Sequence, residues 1–100
     1  MDIKVIPGDK RASIVLAGSV DERGAEELKR RLLDLEIDSL EEVELDFGGV
    51  TFIGSAGIGK LLLLYKSLAA HGGKLSITNL SKDIFTMFKV IKLDQIFQLN

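Results

Sequence analysis

The residues of this chain that could do chemistry are concentrated in Gly54-Ser55-Ala56-Gly57-Ile58-Gly59-Lys60. The stretch nearly spells G-x-x-x-x-G-K-[ST], a loop that cradles phosphates on backbone N–H groups and places a hydroxyl on Mg²⁺. Leu61 stands where that hydroxyl must be, so a nucleotide triphosphatase lacks its metal ligand. The stretch also brushes against the nucleophile elbow G-x-S-x-G, but Ile53 replaces the first glycine. A serine hydrolase needs a base as well, and His71 is the only histidine. It falls roughly 15 residues along the same helix from Ser55, ~20 Å at 1.5 Å per residue. With no cysteine and no paired carboxylates at a recognisable spacing, neither a thiolate nucleophile nor a metal site has anything to build on. The reading is therefore a protein that is not an enzyme, with no catalytic residue, cofactor or metal.

What remains is the Ser55 hydroxyl and the place where it falls. From there Ile58, Leu61, Leu62, Tyr65, Leu68 and Ala69 recur at helical spacing, which predicts an apolar helix with Ser55 as its N-cap. The free N–H groups and positive dipole end of such a helix favour negative charge. A phosphate on the serine oxygen would meet the same donors. Leu63 and Leu64 exceed what one inward stripe can hold, so at least one is expected at its edge or outside it.

The elements that position this turn follow from the pattern of the rest. Val43, Leu45 and Phe47 alternate with Glu44 and Asp46, a strand with one buried face; Gly48 and Gly49 are expected to end it, and Val50 to Ile53 to run extended into the serine turn. Upstream, Ile3, Val5 and Ile6 form a first strand, Pro7 to Lys10 a turn, and Ala12 to Ala17 a second strand that pairs as a hairpin and stops at Gly18. Asp21 is the natural N-cap of a helix with Ala25, Leu28, Leu32 and Leu35 inward. Downstream, His71-Gly72-Gly73 closes the apolar helix, with His71 a favourable side chain at its C-terminus. Lys74 to Thr78 is a strand, Ser81 caps a third helix with Ile84, Phe85, Phe88 and Ile91 inward, and Gln95 to Leu99 is a last strand. Asp46 reads as a solvated or loop-bonding carboxylate. The expected fold is an α/β sandwich over residues 1–100: a mixed sheet with an N-terminal hairpin, its parallel part built from right-handed crossovers, and helices mainly on one face.

Composition narrows the classes of function. One hundred residues, 46% hydrophobic and 28% charged, suit one globular domain. A net charge of −2 with mixed signs provides no basic stripe for nucleic acid. The N-terminus lacks an apolar signal region, and the longest apolar run, Leu61 to Tyr65, is far short of the ~20 residues of a membrane helix. The expectation is a cytoplasmic protein without direct membrane insertion.

At Leu45 to Leu62, LDFGGVTFIGSAGIGKLL, the chain resembles the signature of the STAS domain, found in bacterial anti-sigma factor antagonists and in the cytoplasmic tails of sulfate transporters. Gly18-Ser19-Val20-Asp21 is similar to the family's Gly-x-hydrophobic-Asp before the first helix. Gly72-Gly73-Lys74-Leu75 and Asn79-Leu80-Ser81 are similar to its return to the sheet. The resemblance covers essentially the whole chain. It implies that Ser55 is a phosphorylation site and that Asp21, Gly54, Ala56, Gly57 and Ile58 form the partner-binding surface. The implied partners are an anti-sigma factor of the serine-protein-kinase type and a serine phosphatase. The implied mechanism is partner switching, in which the unphosphorylated protein binds the anti-sigma factor and phosphorylation releases it. One departure matters: family antagonists usually carry aspartate immediately before the serine, and this chain has Gly54. That residue keeps a second reading open, a non-phosphorylated STAS scaffold subunit of a transport or signalling complex.

Overall fold

Val43, Leu45 and Phe47 are all buried, while Glu44 and Asp46 between them face the other side and are half-exposed. In the computed structural model, which describes residues 1–100, this strand is the centre of the sheet. The elements are β1 Asp2–Pro7, β2 Arg11–Val20, α1 Glu22–Leu33, β3 Glu42–Ile53, α2 Ser55–Ala69, β4 Lys74–Thr78, α3 Lys82–Val90 and β5 Gln98–Leu99, with 3₁₀ turns at Ile37–Ser39 and Leu93–Gln95. The strands lie side by side in sequence order. β1 pairs antiparallel with β2 as the expected hairpin, and β2, β3, β4 and β5 run parallel. Each parallel step is bridged by one helix, which is the mixed α/β sandwich anticipated from the alternation of patterns.

One layer of helices covers one face. Ile14, Leu45 and Ile77 from three neighbouring strands share a continuous core with Leu28 of α1, Leu61 and Leu68 of α2 and Phe88 of α3. Leu93 and Phe97 close it beyond α3. The opposite face carries side chains such as Lys4, Ser13, Glu44 and Asp46, which is why the strands alternate instead of reading as continuous apolar runs. A remote contact ties the hairpin to the helical layer, the Arg31 guanidinium donating to the Ile3 carbonyl at 3.4 Å.

Several boundaries differ from the sequence expectation. Gly18 does not stop β2, and Gly48-Gly49 does not end β3; both strands run on, to Val20 and Ile53. Register shifts fall between Val15 and Ala17 and between Gly18 and Ser19. The glycines accommodate these irregularities, a common use of glycine within strands. Gly18 takes a positive φ of 98°, and a Cβ on Gly49 would stand 2.7 Å from the Ala17 Cβ. α1 ends at Leu33, so Leu35 packs half-buried from beyond it. In α2, Leu64 is buried and Leu63 is 56% exposed, while Ala69 faces solvent. In α3, Phe85 and Ile91 turn outward, because nine residues on the sheet margin bury only the Ile84–Phe88 stripe. The last strand shortens to Gln98–Leu99, its expected start being taken up by the 3₁₀ turn.

Candidate functional site

Because β2 and β3 run parallel, their C-terminal ends meet. Val20 and Ile53 are neighbours in the sheet, and the Gly54 N–H donates to the Val20 carbonyl at 3.1 Å. The chain leaves both strands by a tight turn into a helix, so Asp21 and Ser55 emerge at the same edge of the sheet. This is the carboxyl-end crevice where open α/β sheets place their functional groups.

Asp21 is the N-cap of α1, as its position in the sequence predicts: its backbone is extended, and Oδ1 accepts the Gly24 N–H at 2.8 Å. The side chain stays exposed while capping, so it can hold the turn and still meet another molecule. Asp21→Ala should cost about 0.5–2 kcal/mol of stability. Asp21→Asn should retain most of it, and urea denaturation of the two variants side by side checks this.

At α2 the register differs by one residue from expectation. The N-cap is Gly54, with φ −102° and ψ −175° and no side chain to cap with, and Ser55 is the first helical residue. The helix begins there because the first intrahelical bond runs from the Ile58 N–H to the Gly54 carbonyl, at 3.0 Å. Ser55 is exposed, at the start of a first turn whose N–H groups lack intrahelical acceptors and which contains no acidic residue. A negative group attached there gains about 0.3–1 kcal/mol from the dipole.

The other residues of the turn divide by depth. Ala56 and Ile58 are half-buried, with Ile58 packed on the core. Gly57 is buried: a Cβ there would lie 2.7 Å from Val20 Cγ1 and 2.8 Å from Ile53 Cγ1. It seats the helix on the two strand ends from beneath. Gly59 faces open space. Lys60 pairs with Glu26 at 3.5 Å and links α2 to α1.

Asp46 bonds within its own strand and to the turn after β4, its Oδ1 accepting from the Gly48 N–H at 2.8 Å and the Asn79 amide at 3.1 Å. His71 lies at the opposite end of α2 from Ser55, its Nε2 2.8 Å from the Leu40 carbonyl oxygen. Phe52 and a cavity were missed in the sequence, although the exposure of Leu63 or Leu64 was expected. Phe52, 52% exposed, sets its ring against Gly54; strand period with Ile53 inward was the signal that could have found it. Leu33 and Leu63 border a cavity of about 270 Å³ between α1 and α2, flanked by Lys29 and Lys60.

Fold and turn together define a small α/β domain that presents an exposed serine at the head of its central crossover helix, beside a capping aspartate. Residues 7–99 match the family model described as the MlaB-type STAS domain. The chain belongs to the STAS domain family. The anti-sigma-B factor antagonist of Bacillus subtilis is 25% identical over 100 residues, covering all of this chain and 89% of that protein. Its counterpart in Listeria monocytogenes is 26% identical over 87 residues, 87% of this chain and 76% of the relative. Among solved structures, the anti-sigma factor antagonist SpoIIAA in its unphosphorylated form superimposes with a TM-score of 0.84 at 19% identity, over 99% of this chain and 88% of that one. An anti-sigma factor antagonist from Mycobacterium paratuberculosis superimposes with a TM-score of 0.84 at 22% identity, over 98% of this chain and 83% of that one. No helix is long and apolar enough to cross a membrane.

Proposed function

We propose that this chain is a cytoplasmic anti-sigma factor antagonist that acts by partner switching, with Ser55 as the phosphorylated residue. The observation that carries the reading is the exposed Ser55 at the first position of α2, at the same end of the sheet as the exposed Asp21. Unphosphorylated, the turn docks against an anti-sigma factor of the serine-protein-kinase type. Phosphorylation adds about −1.5 to −2 charges. The helix dipole tolerates that charge, whereas a docked interface must desolvate it or set it against like charge, at several times the energy. The switch therefore acts on binding and leaves the fold intact, and a serine phosphatase resets it. The relatives named as anti-sigma-B factor antagonists support this partner class.

The test is phosphopeptide mapping of the protein from its native cells with and without stress. Ser55 should be phosphorylated to a condition-dependent extent, and a chain never modified there would overturn the switch. In parallel, Ser55→Asp should bind the anti-sigma factor at least tenfold more weakly than wild type, with an unchanged circular dichroism spectrum, and Ser55→Ala should bind as wild type does. Gly54, together with the MlaB-type family model, favours a second reading, a scaffold subunit that is never phosphorylated. Copurification with a membrane complex and an unmodified Ser55 would select it.

A further inference from the structure

The residue after the C-cap of α3 has a left-handed backbone, a position where glycine is the usual occupant. It is Lys92, with φ 65° and ψ 26°, whereas α2 closes on Gly72 at a φ of 82°. Lys92 is exposed and pairs with no carboxylate, so it does nothing for the fold that glycine would not do with less strain. Around it the exposed apolar side chains are concentrated. Of the eight large hydrophobic residues that stay exposed, four lie in this one segment: Phe85, Val90, Ile91 and Ile96. Val90, the last residue of the helix, is 73% exposed. Exposed apolar residues scattered singly are ordinary, but a cluster marks a surface that another molecule covers. A second cation stands among them. Lys89 Nζ is 5.7 Å from the centre of the Phe85 ring and, like Lys92, has no carboxylate partner. Asp94 is the one acidic residue of this tip.

We propose that the C-terminal end of α3 and the turn that follows it dock on the surface of an anionic lipid bilayer. The occupant must be apolar and anionic within a few ångströms, because the unpaired ammonium groups and the aliphatic side chains alternate along the same short segment. The boundary between acidic headgroups and acyl chains has that layering: apolar side chains enter it by roughly 5–10 Å while lysines on flexible stems stay among the headgroups. Nucleic acid offers the phosphates without an apolar layer for Val90 and Ile96 to enter. The tip touches the lipid surface without spanning it. Because β4 and β5 run parallel, α3 returns the chain from the carboxyl ends of the strands to their amino ends. The tip therefore lies at the opposite end of the sheet from the Ser55 turn, and a domain seated on lipid by it keeps that turn free. The inference is independent of whether Ser55 is phosphorylated.

The experiment is flotation of the whole chain with vesicles of equal parts phosphatidylglycerol and phosphatidylcholine, and with vesicles of phosphatidylcholine alone. Wild type should bind the anionic vesicles about tenfold more strongly, and less so as salt is raised. Val90→Ser should weaken that binding about fivefold, and Asp94→Asn should strengthen it about fivefold. Lys92→Gly separates binding from folding: it should raise the urea midpoint, by relieving the left-handed lysine, and still weaken vesicle binding about fivefold. Ile6→Ser, an equally plain loss of an exposed apolar side chain on the far edge strand, should change nothing. Failure of wild type to bind either vesicle, equal binding to both, unchanged binding by Lys92→Gly, or a loss on Ile6→Ser as large as on Val90→Ser would each overturn the inference. So would two results that give the tip another occupant. One is a lipid-free dimer that Val90→Ser turns into a monomer, which assigns the tip to a second copy of the chain. The other is weakened binding of Val90→Ser to purified anti-sigma-B factor in the absence of any vesicle binding, which assigns it to a protein.

Discussion

Phe88→Ala should lower the stability of the fold by about 3–5 kcal/mol, among the largest losses expected from truncating one side chain. Phe88 is fully buried. Its ring meets Phe47 edge-on at 6.3 Å and Phe97 at 6.5 Å, and Phe97 in turn meets Tyr65 at 6.0 Å. Aromatic pairs of this geometry are worth ~0.5–1.5 kcal/mol each beyond the area they bury. The four rings join β3, α2, α3 and the C-terminal turn, so α3, a short helix at the sheet margin, is held chiefly through Phe88 and Ile84. A domain of this size has roughly 5–15 kcal/mol in total, so the variant loses a large share of it. Urea denaturation should show a lower midpoint with an unchanged slope. Phe85→Ala, on the outward side of the same helix, is the control and should cost well under half as much. A Phe88→Ala loss below ~1 kcal/mol would mean that α3 is not anchored by this cluster.

Much of this arrangement was legible in the sequence, and the reasons are local. The Val43–Phe47 alternation needs only the strand period and one covered face. Asp21 and Ser81 announce their helices because a cap is a bond between residues three apart; the Ser81 hydroxyl accepts the Ile84 N–H at 3.2 Å. The misreadings all involve a partner element. Gly18 and Gly49 look like stops until the neighbouring strand supplies the hydrogen bonds that carry the ladder past them. Phe85 and Ile91 look inward until the edge position of α3 leaves nothing for them to cover. At the site, the serine and the aspartate were visible as types and spacing, but the one-residue register of α2 was not. A serine before an apolar run reads as a cap, whereas here the Gly54 N–H is drawn to the Val20 carbonyl and Gly54 becomes the cap. The contact of Phe52 with Gly54 depends on a side-chain direction that only the packed strand end settles.

Gly57 and Gly59, two residues apart in α2, should respond to substitution with opposite signs. A methyl on Gly57 would lie 2.7 Å from Val20 Cγ1, 2.8 Å from Ile53 Cγ1 and 3.0 Å from the Val20 carbonyl oxygen. A side chain fits only if the helix lifts off both strand ends. Overpacking typically costs about 1–3 kcal/mol, and alanine recovers up to ~1 kcal/mol in helix propensity, so Gly57→Ala should be mildly destabilising. Gly57→Val brings two further methyl groups and a β-branched side chain, and should cost at least about 3 kcal/mol. A Cβ on Gly59 meets nothing within 4 Å, so Gly59→Ala should raise stability by roughly 0.5–1 kcal/mol. Urea midpoints of the three variants decide the signs, and amide exchange at Gly54 supplies an independent readout. Lifting the helix breaks the 3.1 Å bond from the Gly54 N–H to Val20, so Gly57→Val should lose protection there before the sheet does, and Gly59→Ala should not. Equal protection in both would show that α2 accommodates a side chain at 57 without moving, and that the Ser55 turn is not held by the close seat of its helix on β2 and β3. If protection is lost as expected, Ser55 is presented by packing beneath it: the glycine that allows the helix to touch the strand ends is what fixes the height of the hydroxyl above the sheet edge.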